Sequence, residues 1–132
     1  MVKIVISTGK RKRAVARAVL KPGKGIIKIN NQPINVYQPE MSRLKLKEPL
    51  ILAGDVAKEI NVNINVFGGG LSSQAEAARL ALAKSLVKYS KKLEKVFSEY
   101  DRHLLVADVR RKETRKPNTH GKARAKRQKS YR

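Results

Sequence analysis

Positive charge is not spread evenly along this chain; it is loaded onto the two ends. From Met1 to Pro39 there are nine Lys or Arg and no acid, from Glu40 to Val109 eleven bases and nine acids, and from Arg110 to Arg132 eleven bases and the single acid Glu113. The three nets are +9, +2 and +10, so compact structure is expected around the balanced centre, with basic flanks that repel one another until a polyanion neutralises them. Hydrophobic residues make up 41% of the 132, enough for one domain to bury a core, and wholesale disorder is disfavoured. The abundant cellular polyanions are nucleic acid and anionic membrane. No apolar run approaches the roughly 20 residues needed to span a bilayer, and the composition points to nucleic acid. Cysteine is absent, which removes disulfides, thiolate zinc sites, iron–sulfur ligation and cysteine nucleophiles together. Met1 to Thr8 does not have the order of a secretory signal, and the expected location is the cytoplasm.

The N-terminal third reads as short strands. Val2, Ile4 and Ile6 alternate with Lys3, Val5 and Ser7, and Thr8 to Arg13 then interrupts with a turn signal and four consecutive bases. A second strand is expected over Ala14 to Leu20, closed by Lys21-Pro22-Gly23-Lys24-Gly25, and a third over Ile26 to Ile29, ended by Asn30-Asn31-Gln32-Pro33. Between Glu40 and Ala53 the leucines at 44, 46, 50 and 52 with Ile51 fit neither period well, and Pro49 predicts a kinked or two-piece helix. Ile60 to Phe67 alternates completely, so Asn61, Asn63 and Asn65 share one face of a half-buried strand, as exposed spacers or RNA contacts.

After Gly68-Gly69-Gly70 comes the longest expected element. Ser73 and Glu76 have the spacing of a capping box. Ala75, Ala78, Leu82, Leu86, Tyr89, Leu93, Val96 and Tyr100 then recur every three or four residues, predicting one helix with a single apolar stripe. Lys84, Lys88, Lys91 and Lys95 fall on its opposite side, as expected of a solvated or RNA-facing surface. The triple glycine either lets elements approach closely or presents helix amides to a phosphate. The P-loop and dinucleotide-fold glycine patterns are both absent.

No catalytic constellation can be assembled. His103 and His120 lack metal-site spacing, and Asp101 and Asp108, beside Arg102 and Arg110, suit structural ion pairs. After Val109 the only large side chain is Tyr131, so Arg111 to Arg132 cannot bury enough surface to repay its chain entropy. It is expected to be an extended arm that orders on a partner. The chain thus divides into a globular α+β domain over 1–109 and a basic extension over 110–132. At this level three readings stand side by side: a ribonucleoprotein component, the protein subunit of an RNA-processing ribozyme, and a sequence-neutral packaging protein.

Three motifs then narrow the choice. Thr8-Gly9-Lys10-Arg11-Lys12-Arg13-Ala14-Val15-Ala16-Arg17, the run Gly68-Gly69-Gly70-Leu71-Ser72-Ser73-Gln74-Ala75-Glu76-Ala77 continuing to Leu86, and the ending Ala123 to Arg132 resemble, in order, the family of the ninth protein of the small ribosomal subunit. The Gln-Lys-Ser-Tyr-Arg ending resembles its archaeal and eukaryotic branch. The resemblance implies a βββαβα two-layer sandwich with a left-handed β-α-β crossover, like the second domain of ribosomal protein S five. It implies a non-enzymatic protein without cofactors or metal, bound to rRNA of the subunit head beside neighbouring ribosomal proteins, neither in a membrane nor a homo-oligomer. It also implies a tail that reaches the peptidyl-site tRNA. Candidate rRNA contacts are Lys10, Arg11, Lys12, Arg13, Arg17, Gly68, Gly69, Gly70, Gln74, Arg110, Arg111, Lys112, Arg115, Lys116, Lys122, Arg124, Lys126 and Arg127. The candidate tRNA-proximal residues are Lys129, Ser130, Tyr131 and Arg132. Lys116 to Gly121 departs from the glycine-rich basic stretch usual before that ending.

Overall fold

A computed structural model describes residues 2–124 and 130–131. Five strands form one mixed sheet: β1 (Val5–Arg11), β2 (Ala14–Pro22), β3 (Ile27–Ile29), β4 (Gln32–Pro33) and β5 (Ile60–Phe67), in the order β1-β2-β5-β3-β4. β3 and β5 run parallel and the other neighbouring pairs antiparallel. The helices are α1 (Glu40–Ala53), α2 (Leu71–Tyr89) and α3 (Lys92–Tyr100), with short 3₁₀ turns at Ile34–Val36, Gly54–Glu59 and Arg102–Leu104. The architecture is α+β. It differs from a plain βββαβα order by the two-residue β4 and by the division of the last helix.

β1 runs straight through the expected turn. It ends at Arg11, pairs Arg11 with Ala14, and reverses over Lys12 and Arg13 alone, with Lys12 in the left-handed region at φ 53°. Its phase is also opposite to the hydrophobic one. Val5, Ser7 and Gly9 face the core while Ile4 and Ile6 lie open, Ile6 62% exposed. The reason is the closeness of α2. A Cβ on Gly9 would lie 2.2 Å from the Ala77 carbonyl oxygen and 2.7 Å from the Ala81 amide nitrogen, so where α2 crosses the strand only glycine fits, with the small Ser7 beside it. On β2 the inner row is likewise small, Ala14, Ala16 and Ala18, widening only at Leu20.

Alanine therefore places α2 against the sheet, and α1 and α3 cover its other side. Ala75, Ala77, Ala78, Leu80, Ala81, Leu82, Ala83, Ser85 and Leu86 are all buried, so α2 is a central element rather than a surface helix with one wet face. Lys84 is half-buried and Lys88 reaches back to donate to the Ile6 carbonyl at 3.0 Å.

The single long helix expected to Tyr100 is two. The chain turns extended at Ser90 (φ −136°, ψ 105°), and α3 restarts to pack Leu93 and Phe97 back into the core. Apolar spacing carries across the break to Leu93, which hides it, but beyond that point the stripe fails: Phe97 is the buried residue, while Val96 and Tyr100 are exposed. The capping box is not formed either: Gly70 is the N-cap, with no side-chain bond, and Gln74 N–H donates to its carbonyl at 2.9 Å. α1 is one helix carrying Pro49 inside. Its buried stripe is Ser42, Leu46, Pro49 and Ala53, at intervals of four, three and four, while Leu44 and Ile51 stay exposed.

Candidate nucleic-acid interface

Three segments distant in sequence meet at one end of the sheet. The β1–β2 turn brings Lys12 and Arg13, the glycine loop brings the start of α2, and the chain leaving the last helical turn brings Arg110 to Arg115. Together they line an open cleft of about 1080 Å³ whose walls include seven Lys or Arg and one acid, Glu113. The Arg111 guanidinium closes the arrangement by donating to the Lys12 carbonyl at 2.7 Å, across 99 residues of sequence. Two of the glycines make this approach possible. Gly68 and Gly69 have φ of +75° and +64°, and a Cβ on either would lie within 3.0 Å of Arg13 O or Ala14 N. Gly70 differs: nothing lies within 4 Å of where its Cβ would sit. Beyond it the amides of Leu71, Ser72 and Ser73 precede the first helical bond and have no intrahelical acceptor, so a 19-residue helix presents its positive end to the cleft.

Not every nominated base is available to an anion. Arg11 lines the cleft but points inward, its side chain 13% exposed, with Nε bonded to Glu76 at 2.6 Å and Nη1 3.3 Å from Asp108. That Nη1 is buried without a well-aligned acceptor, so the Asp108 contact is coulombic rather than a hydrogen bond. Lys45 also reaches Glu76, at 3.4 Å. Burial alone pushes the Glu76 carboxyl up, but the bonds and charges of Arg11 and Lys45 outweigh it and hold the group below the usual carboxylate range. Arg110 is engaged with Asp108, whose carboxyl is held far below that range by the Arg110 side-chain and backbone N–H bonds. Asp101 pairs with Arg79 at 3.2 Å, not with Arg102, and Arg79 also bonds Glu48. Among the described residues, Lys12, Arg13, Arg111, Lys112 and Arg115 line the cleft and make no ion pair. Five cations facing one groove without carboxylate partners are what a polyphosphate backbone requires.

The other nominated residues lie elsewhere. Lys10 and Arg17 occupy the open face of the sheet. Gln74 donates to the Gly68 carbonyl at 3.0 Å and so ties the glycine loop to the first turn of α2. Where the sequence suggested a plain extended arm, the chain between Glu113 and Arg124 doubles back: Lys116 N–H donates to Lys122 O at 2.9 Å, and Glu113 pairs with both Lys116 (2.5 Å) and Arg124 (2.6 Å). Those bonds, Lys116 first, pull the Glu113 carboxyl down to about 2. Ser130 and Tyr131 are exposed, whereas Lys126, Arg127, Lys129 and Arg132 lie outside the described residues. Among the described residues no group of His, Cys, Asp and Glu could hold a metal ion, and no helix is long and apolar enough to cross a membrane.

Residues 9–132 match the family model described as ribosomal protein S9/S16. A protein of Thermoplasma volcanium is 55% identical over 130 residues, covering 97% of this chain and 98% of its own length. One of Desulfurococcus amylolyticus is 49% identical over 133 residues, 99% and 94% of the two lengths, and one of Pyrobaculum aerophilum is 48% identical over 132, 98% and 92%. Each of these relatives is named small ribosomal subunit protein uS9.

Proposed function

Because the chain belongs to the ribosomal protein S9/S16 family, we propose that it works as a structural, non-enzymatic constituent of the small ribosomal subunit in the cytoplasm, and that its basic cleft holds rRNA of the subunit head. The observation that carries the second part is the convergence of Lys12, Arg13, Arg111, Lys112 and Arg115 with the start of α2 in one groove, without an acid paired to any of them among the described residues. Cations and helix amides bind phosphate without regard to base, so this groove positions the protein on a folded RNA rather than reading its sequence.

The same reading extends to the two ends of the chain. The domain of 1–109 docks, and the extension of 110–132 leaves the cleft to run through rRNA between neighbouring head proteins. Its end, Lys129 to Arg132, reaches the anticodon region of the peptidyl-site tRNA, where Tyr131 offers a stacking face and Arg132 a forked donor. The left-handed crossover of the family would lie in the connection through α1, which links the parallel strands β3 and β5.

The test is the salt dependence of binding to a head-domain rRNA fragment. Each phosphate neutralised contributes about 0.7 to 0.9 to the slope of log affinity against log salt. Replacing Arg111, Lys112 and Arg115 together by glutamine is expected to lower the slope by about 2 to 3 units. An unchanged slope would remove the cleft from the interface.

A further inference from the structure

The face of the sheet turned away from the helices carries a second pattern that the phosphate-binding cleft does not use. The strand register aligns Lys10, Val15 and Phe67 in one row and Arg17 and Asn65 in the next, with Asn63 and Lys28 side by side beyond them. Phe67 is 52% exposed although it ends a central strand, and the Arg17 guanidinium sits 5.9 Å from its ring centroid. Among the described residues no carboxylate projects from this face; its charged side chains are all cations.

An aromatic ring at the surface, a guanidinium packed over it, and primary amides in the adjoining rows are the elements of a base-stacking platform. A ring accepts any base on its face, Arg reinforces the stack or takes the flanking phosphate, and asparagine amides offer both donor and acceptor to a base edge. A purely apolar protein partner would leave these cations and amides unmatched. The positive sign of the whole face suits a polyanion instead. Phe67 immediately precedes the glycine loop, two of whose residues line the cleft, so the ring lies at the end of the strand that leads into it. We propose that the open face of the sheet binds an unpaired RNA segment, with one base stacked on Phe67 beside Arg17, as a contact separate from the cleft.

The chain contains no tryptophan, which makes the contact directly observable. In the full-length protein, Phe67→Trp places a lone indole at the platform, and titration with an oligo-uridylate of about ten nucleotides is expected to quench its fluorescence saturably. Phe67→Leu keeps an apolar side chain of similar size, and an unchanged circular-dichroism spectrum would confirm its fold. It is expected to weaken oligo-uridylate binding about tenfold at fixed salt, leaving the salt slope and the affinity for an RNA duplex of equal length unchanged. A lowered slope belongs to the cleft and a lowered single-strand affinity to the platform, so the two contacts fail independently. Absence of quenching, or a Phe67→Leu protein that binds oligo-uridylate as tightly as the native one, would overturn the proposal, whether the face is then bare or covered by a neighbouring protein.

Discussion

Replacing Gly9 with alanine should destabilise the protein, against the ordinary preference of a strand. Inside a strand, glycine costs about 0.5 to 1 kcal/mol relative to alanine, so the substitution would be stabilising at a roomy site. Here the new Cβ would meet the backbone of α2, 2.2 Å from Ala77 O and 2.7 Å from Ala81 N, well inside ordinary contact distances of about 3.5 Å. Neither contact is with a side chain that could swing away. α2 is itself buried between the sheet and the other helices, so β1 and α2 must separate and loosen the packing of Ala14, Ala16 and Leu82 with them. Overpacking of this kind costs about 1 to 3 kcal/mol, and the entropy returned by removing a glycine offsets less than about 1 of it. A net loss of about 2 kcal/mol is expected from urea denaturation followed by circular dichroism, seen as a lower midpoint at unchanged slope. A variant as stable as the native protein, or more so, would refute the close strand–helix approach on which the fold rests.

Two further outcomes follow from the ion pairs. Glu76→Gln removes the carboxylate shared by Arg11 and Lys45 and leaves the largely buried Arg11 with Asp108 alone, so stability is expected to fall by about 1 to 2 kcal/mol in the same urea assay. Glu113 is held at about 2 against an ordinary 4.5, so its bonds to Lys116 and Arg124 favour the closed loop fully above pH 4.5 and are lost as pH falls through about 2. Carbon-13 titration of the Glu113 carboxyl is the direct check, and a midpoint near 4.5 would show the loop open.

Much of the sheet was legible because alternation is a local property. Ala14 to Leu20 and Ile60 to Phe67 read as strands and form strands. The phase of β1 does not follow from alternation: where the α2 backbone crosses the strand the inner residues are small, so Ser7 and Gly9 face the core and the larger Ile4 and Ile6 do not. The same closeness turned α2 into a central helix, which a lysine count on one side cannot reveal. The break at Ser90 is masked because Leu93 keeps the spacing from Leu86, but past it Phe97 returns to the core while Val96 and Tyr100 of the expected stripe stay exposed. The Ser73–Glu76 spacing gave a false cap because Glu76 is committed to Arg11 and Lys45, partners 65 and 31 residues away.

The site was legible in its parts and not in its assembly. The basic runs at Lys10 to Arg13 and Arg110 to Lys116 stand out in composition, yet nothing local says that they share one groove. Which bases are already spent, Arg11 on Glu76 and Arg110 on Asp108, is also a tertiary fact. The open-face pair of Arg17 and Phe67 depends on β2–β5 register, which sequence spacing alone does not supply.

The central claim is that rRNA lies in the cleft between the β1–β2 turn, the start of α2 and the segment from Arg110 to Arg115. Hydrogen exchange of the full chain, free and bound to a head-domain rRNA fragment, examines it residue by residue. Added protection is expected at the amides of Leu71, Ser72 and Ser73, at Lys12 and Arg13, and across 111–115. Protection confined to the exposed sides of α1 and α3, with these amides unchanged, would contradict it.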